Sequence, residues 1–234
     1  MRILGVIPAR GGSKGIPRKN IKILAGKPLL AYTAEASLGS ALLDKVVLSS
    51  DDSEIMKLGK KLGLEVPFSR PDHLAQDSTP TLPVVLHALE YYESMGEYFD
   101  AVCLLQVTTP FRTVKFIDEA VRKFSAEGSD SLVSVKEVPH QFNPHWTFKV
   151  NNSGFLQIAT GDQEIISRRQ ELPKVFHRDG SIYLTKTEVL KNHQSLYGKT
   201  ISYILSPESS FVNIDSVEDW EQAELLAAQW TLNG

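Results

Sequence analysis

Residues 7–20, Ile-Pro-Ala-Arg-Gly-Gly-Ser-Lys-Gly-Ile-Pro-Arg-Lys-Asn, constrain this chain more than any other stretch. They follow an apolar run over residues 3–7 that reads as a buried first strand. The loop therefore leaves the carboxyl end of a strand, where open α/β sheets place their ligands. Gly11, Gly12 and Gly15 allow sharp turns and bring backbone N–H groups close to an anion. Arg10, Lys14, Arg18 and Lys19 add four cations, although the whole chain has 25 Lys and Arg against 28 Asp and Glu. A positive loop in a slightly acidic protein points to a small polyanion such as a triphosphate. The acidic balance argues against a general nucleic-acid surface. Walker A spacing and dinucleotide Gly-x-Gly-x-x-Gly spacing are both absent from the loop. The competing reading is a solvated basic turn.

Beyond the loop the chain alternates. Strands are expected over 3–7, 45–49, 101–106, 131–135, 181–185 and 200–205. Helices are expected over 29–38, 53–62, 82–95, 114–125 and 217–230. This rhythm predicts an α/β fold with a mostly parallel sheet and helices on both faces. Asp52 or Ser53 is placed to cap the second helix and Thr113 the fourth. Residues 139–175 break the pattern, with a hairpin-like stop at 150–155, and read as an arm inserted in a single domain spanning 1–234. No apolar run approaches the ~20 residues of a membrane span, and the start of the chain runs into a strand without a signal-peptide pattern. A cytoplasmic location is expected. Cys103, the single cysteine, sits in an apolar run and reads as a small buried hydrophobe. The six histidines show no zinc spacing, and His140 and His145 read as packing residues of the arm.

Six motifs occur in order: Ala9-Arg10-x-x-Ser13-Lys14-Gly15-x-x-x-Lys19-Asn20, Arg70-Pro71 with Asp77, Leu104-Leu105-Gln106-x-Thr108-x-Pro110-x-Arg112, Arg169-Gln170-x-Leu172-Pro173, Gly180-Ser181-Ile182-Tyr183 and Asn213-Ile214-Asp215. Together they resemble the cytidylyltransferases that activate sialic acids and related nine-carbon acidic sugars, from residue 3 to about 228. The resemblance implies a three-layer α/β/α, Rossmann-like nucleotidyltransferase whose arm builds a homodimer and reaches the sugar site. It implies transfer of CMP from CTP to the anomeric hydroxyl of a sialic-acid-like acid, with release of pyrophosphate.

Carried over position by position, the resemblance assigns CTP binding to Arg10, Ser13, Lys14, Lys19, Asn20, Arg70 and Thr81. Main-chain groups around Thr79 and Pro80 would contribute to the pyrimidine site. Arg10 and Lys19 would stabilise charge on the departing pyrophosphate, and Asp215 would be catalytic. Gln106, Arg169, Asp179 and Tyr183 would meet the sugar acid. Asp215, with Asn213, would hold magnesium, or manganese in its place. Three departures matter. Asn213 stands where the family usually has a second Asp, Asp179 where an Asn is usual, and Trp146 where a Lys is common. The last two point to an acid with a different acylamino pattern, such as legionaminate, or to ketodeoxynonulosonate. Capping of the last helix is the competing role for Asp215. Two rival functions are a 3-deoxy-manno-octulosonate cytidylyltransferase, whose loop typically lacks the Gly-Gly-Ser-Lys-Gly form, and a CTP-binding relative without catalysis.

Overall fold

The first apolar run forms the strand around which the sheet assembles. In the computed structural model, which describes residues 1–207 and 212–233, strand β1 (Ile3–Pro8) is buried through Ile7. Such continuous burial is expected of a strand covered on both faces. There follow β2 (Ile23–Leu24), β3 (Lys27–Pro28), α1 (Leu29–Leu38), β4 (Lys45–Ser49), α2 (Ser53–Lys61), α3 (Thr81–Ser94) and β5 (Ala101–Leu104). The chain continues through α4 (Val114–Glu127), β6 (Ser131–Glu137), β7 (Phe148–Val150), β8 (Leu156–Ile158), β9 (Phe176–Lys186), α5 (Thr187–Asn192), β10 (Ile201–Leu205) and α6 (Val217–Asn233).

Six strands form one mixed, mostly parallel sheet in the order β10-β6-β9-β5-β1-β4. β1 runs parallel to β4, with Val6 opposite Val47, and to β5, with Gly5 opposite Cys103. β9 joins β5 antiparallel, with Tyr183 opposite Leu104. Because β4, β1 and β5 point the same way, the loops after Pro8, Ser49 and Leu104 leave from one edge. That edge is where a ligand site is expected.

Local chemistry fixes the helices. Asp52 caps α2, accepting from the backbone N–H groups of Glu54 and Ile55 at 2.9 and 3.0 Å. Thr113 caps α4 through Phe116 N at 3.1 Å, and Gly128, at φ 65°, ends it. Both caps are those expected from the sequence. The core joins Ile7, Leu30, Leu48, Leu105 and Phe124 with Cys103, whose thiol burial pushes up to about 12. No helix among the described residues is long and apolar enough to cross a membrane.

The elements not foreseen are short. α5 has six residues, too few to display a helical period. The β2–β3 hairpin turns on Ala25 and Gly26, at φ 44° and 90°. Alanine rarely adopts that conformation, so it gives no turn signal.

The chain divides into two compact units, Met1–Ser134 with the chain from Gly180, and Val135–Asp179. Within the second, β7 and β8 pair antiparallel, with Phe148 opposite Ile158. Asn151 Oδ1 closes their turn by accepting from the N–H groups of Ser153 and Phe155, each at 3.0 Å. Trp146 Nε1 donates to the Ile166 carbonyl at 2.6 Å, and His145 Nδ1 lies 2.6 Å from Asp162. The apolar side chains of Phe148, Val150, Phe155 and Leu156 are nevertheless exposed.

Asp52→Ala removes both cap bonds of α2 and should cost about 1 kcal/mol. For a chain of this size that lowers Tm by about 2–4 °C. An unchanged Tm in calorimetry would show that the cap contributes nothing.

Candidate active site

Close backbone approach brings three loops together at the sheet edge. Gly15 lies directly against the carbonyl oxygen of Asp215, and a Cβ on Gly15 would collide with that oxygen. Lys19 Nζ donates to the Ile214 carbonyl at 2.5 Å and lies 3.3 Å from Asp215 Oδ1. Ile214 N in turn donates to the Thr108 carbonyl at 2.8 Å. The basic loop after β1, the loop after β5 and the segment before α6 are thereby stitched together.

They enclose a cleft of about 360 Å³ whose lining includes Arg10, Ser13, Lys14, Lys19, Asn20, Arg70, Thr81, Gln106 and Asp215. Nine of the thirteen residues singled out in the sequence thus share one cavity. Asn213 stands beside it, donating its amide to Asp215 Oδ2 at 2.6 Å.

Each side chain is held by its neighbours. Asn20 is buried and donates to the Arg10 carbonyl at 2.9 Å, tying the loop to itself. Gly11 N donates to Asp51 at 3.1 Å. Arg10 and Lys14 both pair with Asp77, the latter at 2.8 Å. Hydrogen bonds from Lys14 and then Arg10 hold the Asp77 carboxyl below its usual range.

Arg70 is buried and clamped to the end of β4, its Nε donating to Ser49 Oγ at 3.1 Å and its Nη2 to the Ser49 carbonyl. Burial lowers its guanidinium to about 10, with nearby Asp51 opposing and Arg10 assisting the shift. It remains a cation at neutral pH. Thr81 opens α3 without acting as a cap, so its hydroxyl is not committed to the helix end. Gln106 is positioned by the buried Arg112, which donates to its carbonyl and to Thr109 Oγ1, each at 2.6 Å. Gly180, at φ 86°, passes close to the Gln106 amide, where an added Cβ would lie 3.3 Å from Oε1.

At the start of α6 the capping is done by two other residues. Asp219 accepts from the N–H groups of Asp215 and Ser216 at 2.9 and 2.8 Å, and Asp219 N donates to Ser216 Oγ at 3.2 Å. These bonds hold the Asp219 carboxyl below its usual range. The Asp215 carboxylate is left to face Lys19 and the cleft. Asp215 in the lining and Asn213 beside it each carry side-chain oxygen at this end of the cleft.

Other readings are redirected. Arg18 is a loop cation, but at φ 57° it turns away to pair with Asp52 at 2.5 Å and Glu54 at 2.6 Å. Three cations of the loop, not four, line the cleft. Tyr183 is buried on β9 with its ring 6.3 Å from that of Tyr197, and it is not part of the cleft lining. Arg169 is exposed in a short turn (Arg169–Glu171) of the second unit, and Asp179 is buried at the end of that unit. Of the sugar candidates on the first unit, Gln106 is in the cleft wall and Tyr183 is not. Leu74, Gln76, Val84 and Thr108, to which the sequence reading assigns no role, also line the cleft. Thr108 had a signal, its place inside the 104–112 motif. Its hydroxyl is buried without a hydrogen-bond partner among the described residues.

A mostly parallel α/β sheet with a basic, glycine-rich cleft at its strand ends is the architecture of a nucleotidyltransferase. The chain belongs to the cytidylyltransferase family, whose model matches residues 4–229. It is similar to the pseudaminic acid cytidylyltransferase of Campylobacter jejuni, 34% identical over 226 residues, covering 97% of this chain and 96% of that one. It is also 36% identical over 227 residues to the CMP-N,N'-diacetyllegionaminic acid synthase of Legionella pneumophila, again covering 97% and 96%. The solved CMP:2-keto-3-deoxy-manno-octonic acid synthetase complexed with CTP shares the fold, with a TM-score of 0.72 at 17% identity over 98% of this chain and 99% of that one. The chain is therefore an enzyme of the nucleotidyltransferase class.

Arg10→Ala and Lys19→Ala should each lower turnover about 10²-fold or more, the scale for losing a preorganised stabiliser of developing charge. Circular dichroism should stay native, since neither residue lies in an α-helix or a β-strand. Unchanged steady-state kinetics in both variants would reduce the basic loop to a solvated turn.

Proposed function

We propose that this enzyme transfers a cytidylyl group from CTP to the anomeric hydroxyl of a nine-carbon α-keto sugar acid, giving a CMP-sugar and pyrophosphate. The observation that carries the proposal is the single cleft in which Arg10, Lys14 and Lys19 meet Asp215, with Arg70 and Thr81 in the same lining. The hydroxyl oxygen forms a bond to the α-phosphorus in line with the departing group. The bond from the α-phosphorus to the bridging oxygen breaks, and its electron pair leaves with pyrophosphate. Charge accumulates on that leaving group, so Arg10 and Lys19 bind the transition state more tightly than the ground state. Arg70 and Thr81 read the pyrimidine, and Gln106 offers an amide to the sugar.

The residues present fit magnesium, with manganese as a substitute. Asp215 supplies a carboxylate, and Asn213, whose amide N–H is spent on Asp215, has its carbonyl oxygen to offer. One carboxylate suffices for an ion that also takes phosphate and water oxygens. When bound, such an ion neutralises phosphate charge.

The acid is a diacylamino nonulosonate of the pseudaminate or legionaminate kind. The names of the two relatives support this choice, as does Asp179 in place of the usual Asn, because a carboxylate and an amide pair differently with an acylamino N–H. The enzyme works as a homodimer through its second unit, a reading supported by the exposed Phe148, Val150, Phe155 and Leu156 on that unit. Arg169, with its two-pronged guanidinium, serves the substrate carboxylate.

Pyrophosphate release should be measured with CTP, ATP and GTP against N-acetylneuraminate, legionaminate, pseudaminate, ketodeoxynonulosonate and 3-deoxy-manno-octulosonate. CTP should be much the best donor and a diacylamino acid the best acceptor, with activity lost to a chelator and restored by magnesium. Equal release with ATP would overturn the nucleotide assignment. A preference for the eight-carbon acid would overturn the sugar assignment.

A further inference from the structure

The cleft lining contains two carboxylates, Asp215 and Asp77. Asp215 faces Lys19. Asp77 bridges Arg10 and Lys14, two of the cations that the proposed function gives to the triphosphate. Among the described residues it pairs with no other cation. Its loop closes on itself, with Leu74 N donating to the Pro71 carbonyl at 2.8 Å, Thr79 N to the Gln76 carbonyl at 3.1 Å and Thr79 Oγ1 to the His73 carbonyl at 3.1 Å. The hydrogen bonds of that loop therefore do not need the Asp77 side chain. The carboxylate is 38% exposed and Lys14 78% exposed, so neither group is locked in place.

We propose that Asp77 is a built-in counter-ion of the triphosphate site, holding Arg10 and Lys14 between turnovers, yielding them to a polyphosphate and reclaiming them as pyrophosphate leaves. The inference rests on the reading that these two cations bind phosphate. Its physical basis is competition for the same charges. A single carboxylate in partly solvated ion pairs is held weakly and loses to a ligand with several negative charges. It competes well with an anion of one charge. The cleft thereby selects by ligand charge before any base is read, and two cations do not retain the leaving group after transfer.

Calorimetric titration of metal-free protein with inorganic tripolyphosphate, pyrophosphate and cytidine tests this on Asp77→Asn, which keeps shape and removes charge. Both polyphosphates should bind roughly ten-fold more tightly than to wild type, and cytidine, which lacks phosphate, should be unaffected. In turnover, KM for CTP should fall and product inhibition by pyrophosphate should strengthen. Asp77→Glu, which keeps the charge, should stay near wild type in polyphosphate affinity. Unchanged or weaker polyphosphate binding by Asp77→Asn would overturn the inference, the second result making Asp77 a positioner of the cations for the ligand. Failure of the underlying reading looks different: wild type would bind no tripolyphosphate, or Arg10→Ala would bind it as well as wild type.

Discussion

The contact between Gly15 and the carbonyl of Asp215 is the constraint on which the site depends. Two segments about two hundred positions apart can meet at that distance because one of them has no side chain. Once they meet, Lys19 reaches both the Ile214 carbonyl and the Asp215 carboxylate. The bond from Ile214 N to Thr108 adds the loop after β5 to the same assembly. The parallel register of β4, β1 and β5 makes this feasible by delivering all three strand ends to one edge.

Electrostatics then divides the labour. A cleft carrying Arg10, Lys14, Lys19 and the buried Arg70 in a chain of net charge −3 concentrates positive potential where a polyphosphate is needed. Uncompensated, those cations would repel one another. Asp77 and Asp215 face three of them, and Asp51 offsets the fourth, Arg70. Arg18, paired with Asp52 and Glu54 at the start of α2, serves instead to tie the basic loop to the neighbouring helix.

Much of this was legible in the sequence because local chemistry and tertiary need agree. The apolar runs of β1, β4 and β5 are buried strands. Asp52 and Thr113 are caps, and Gly15 of the basic loop stands where backbone must approach. What escaped required a partner distant in sequence or a choice of face. Arg18 reads as one more loop cation until Asp52, 34 positions on, claims it. Tyr183 belongs to a motif, but the motif does not say on which side of β9 its ring lies. Asp215 could have been a helix cap, and the bonds between Ser216 and Asp219 assign that task elsewhere. Thr108 carried a signal in its motif, yet the burial of its hydroxyl emerges from packing alone.

The most direct test of this account is the CTP affinity and turnover of Gly15→Ala beside its thermal unfolding. The added methyl forces the loop away from Asp215 and moves Lys19 with it, while the strands that carry the core are untouched. A displacement of about 1 Å at a reacting centre costs about 10²-fold, so turnover should fall by at least that factor with a native unfolding transition. Wild-type affinity and turnover in Gly15→Ala would contradict the claim that this contact builds the site.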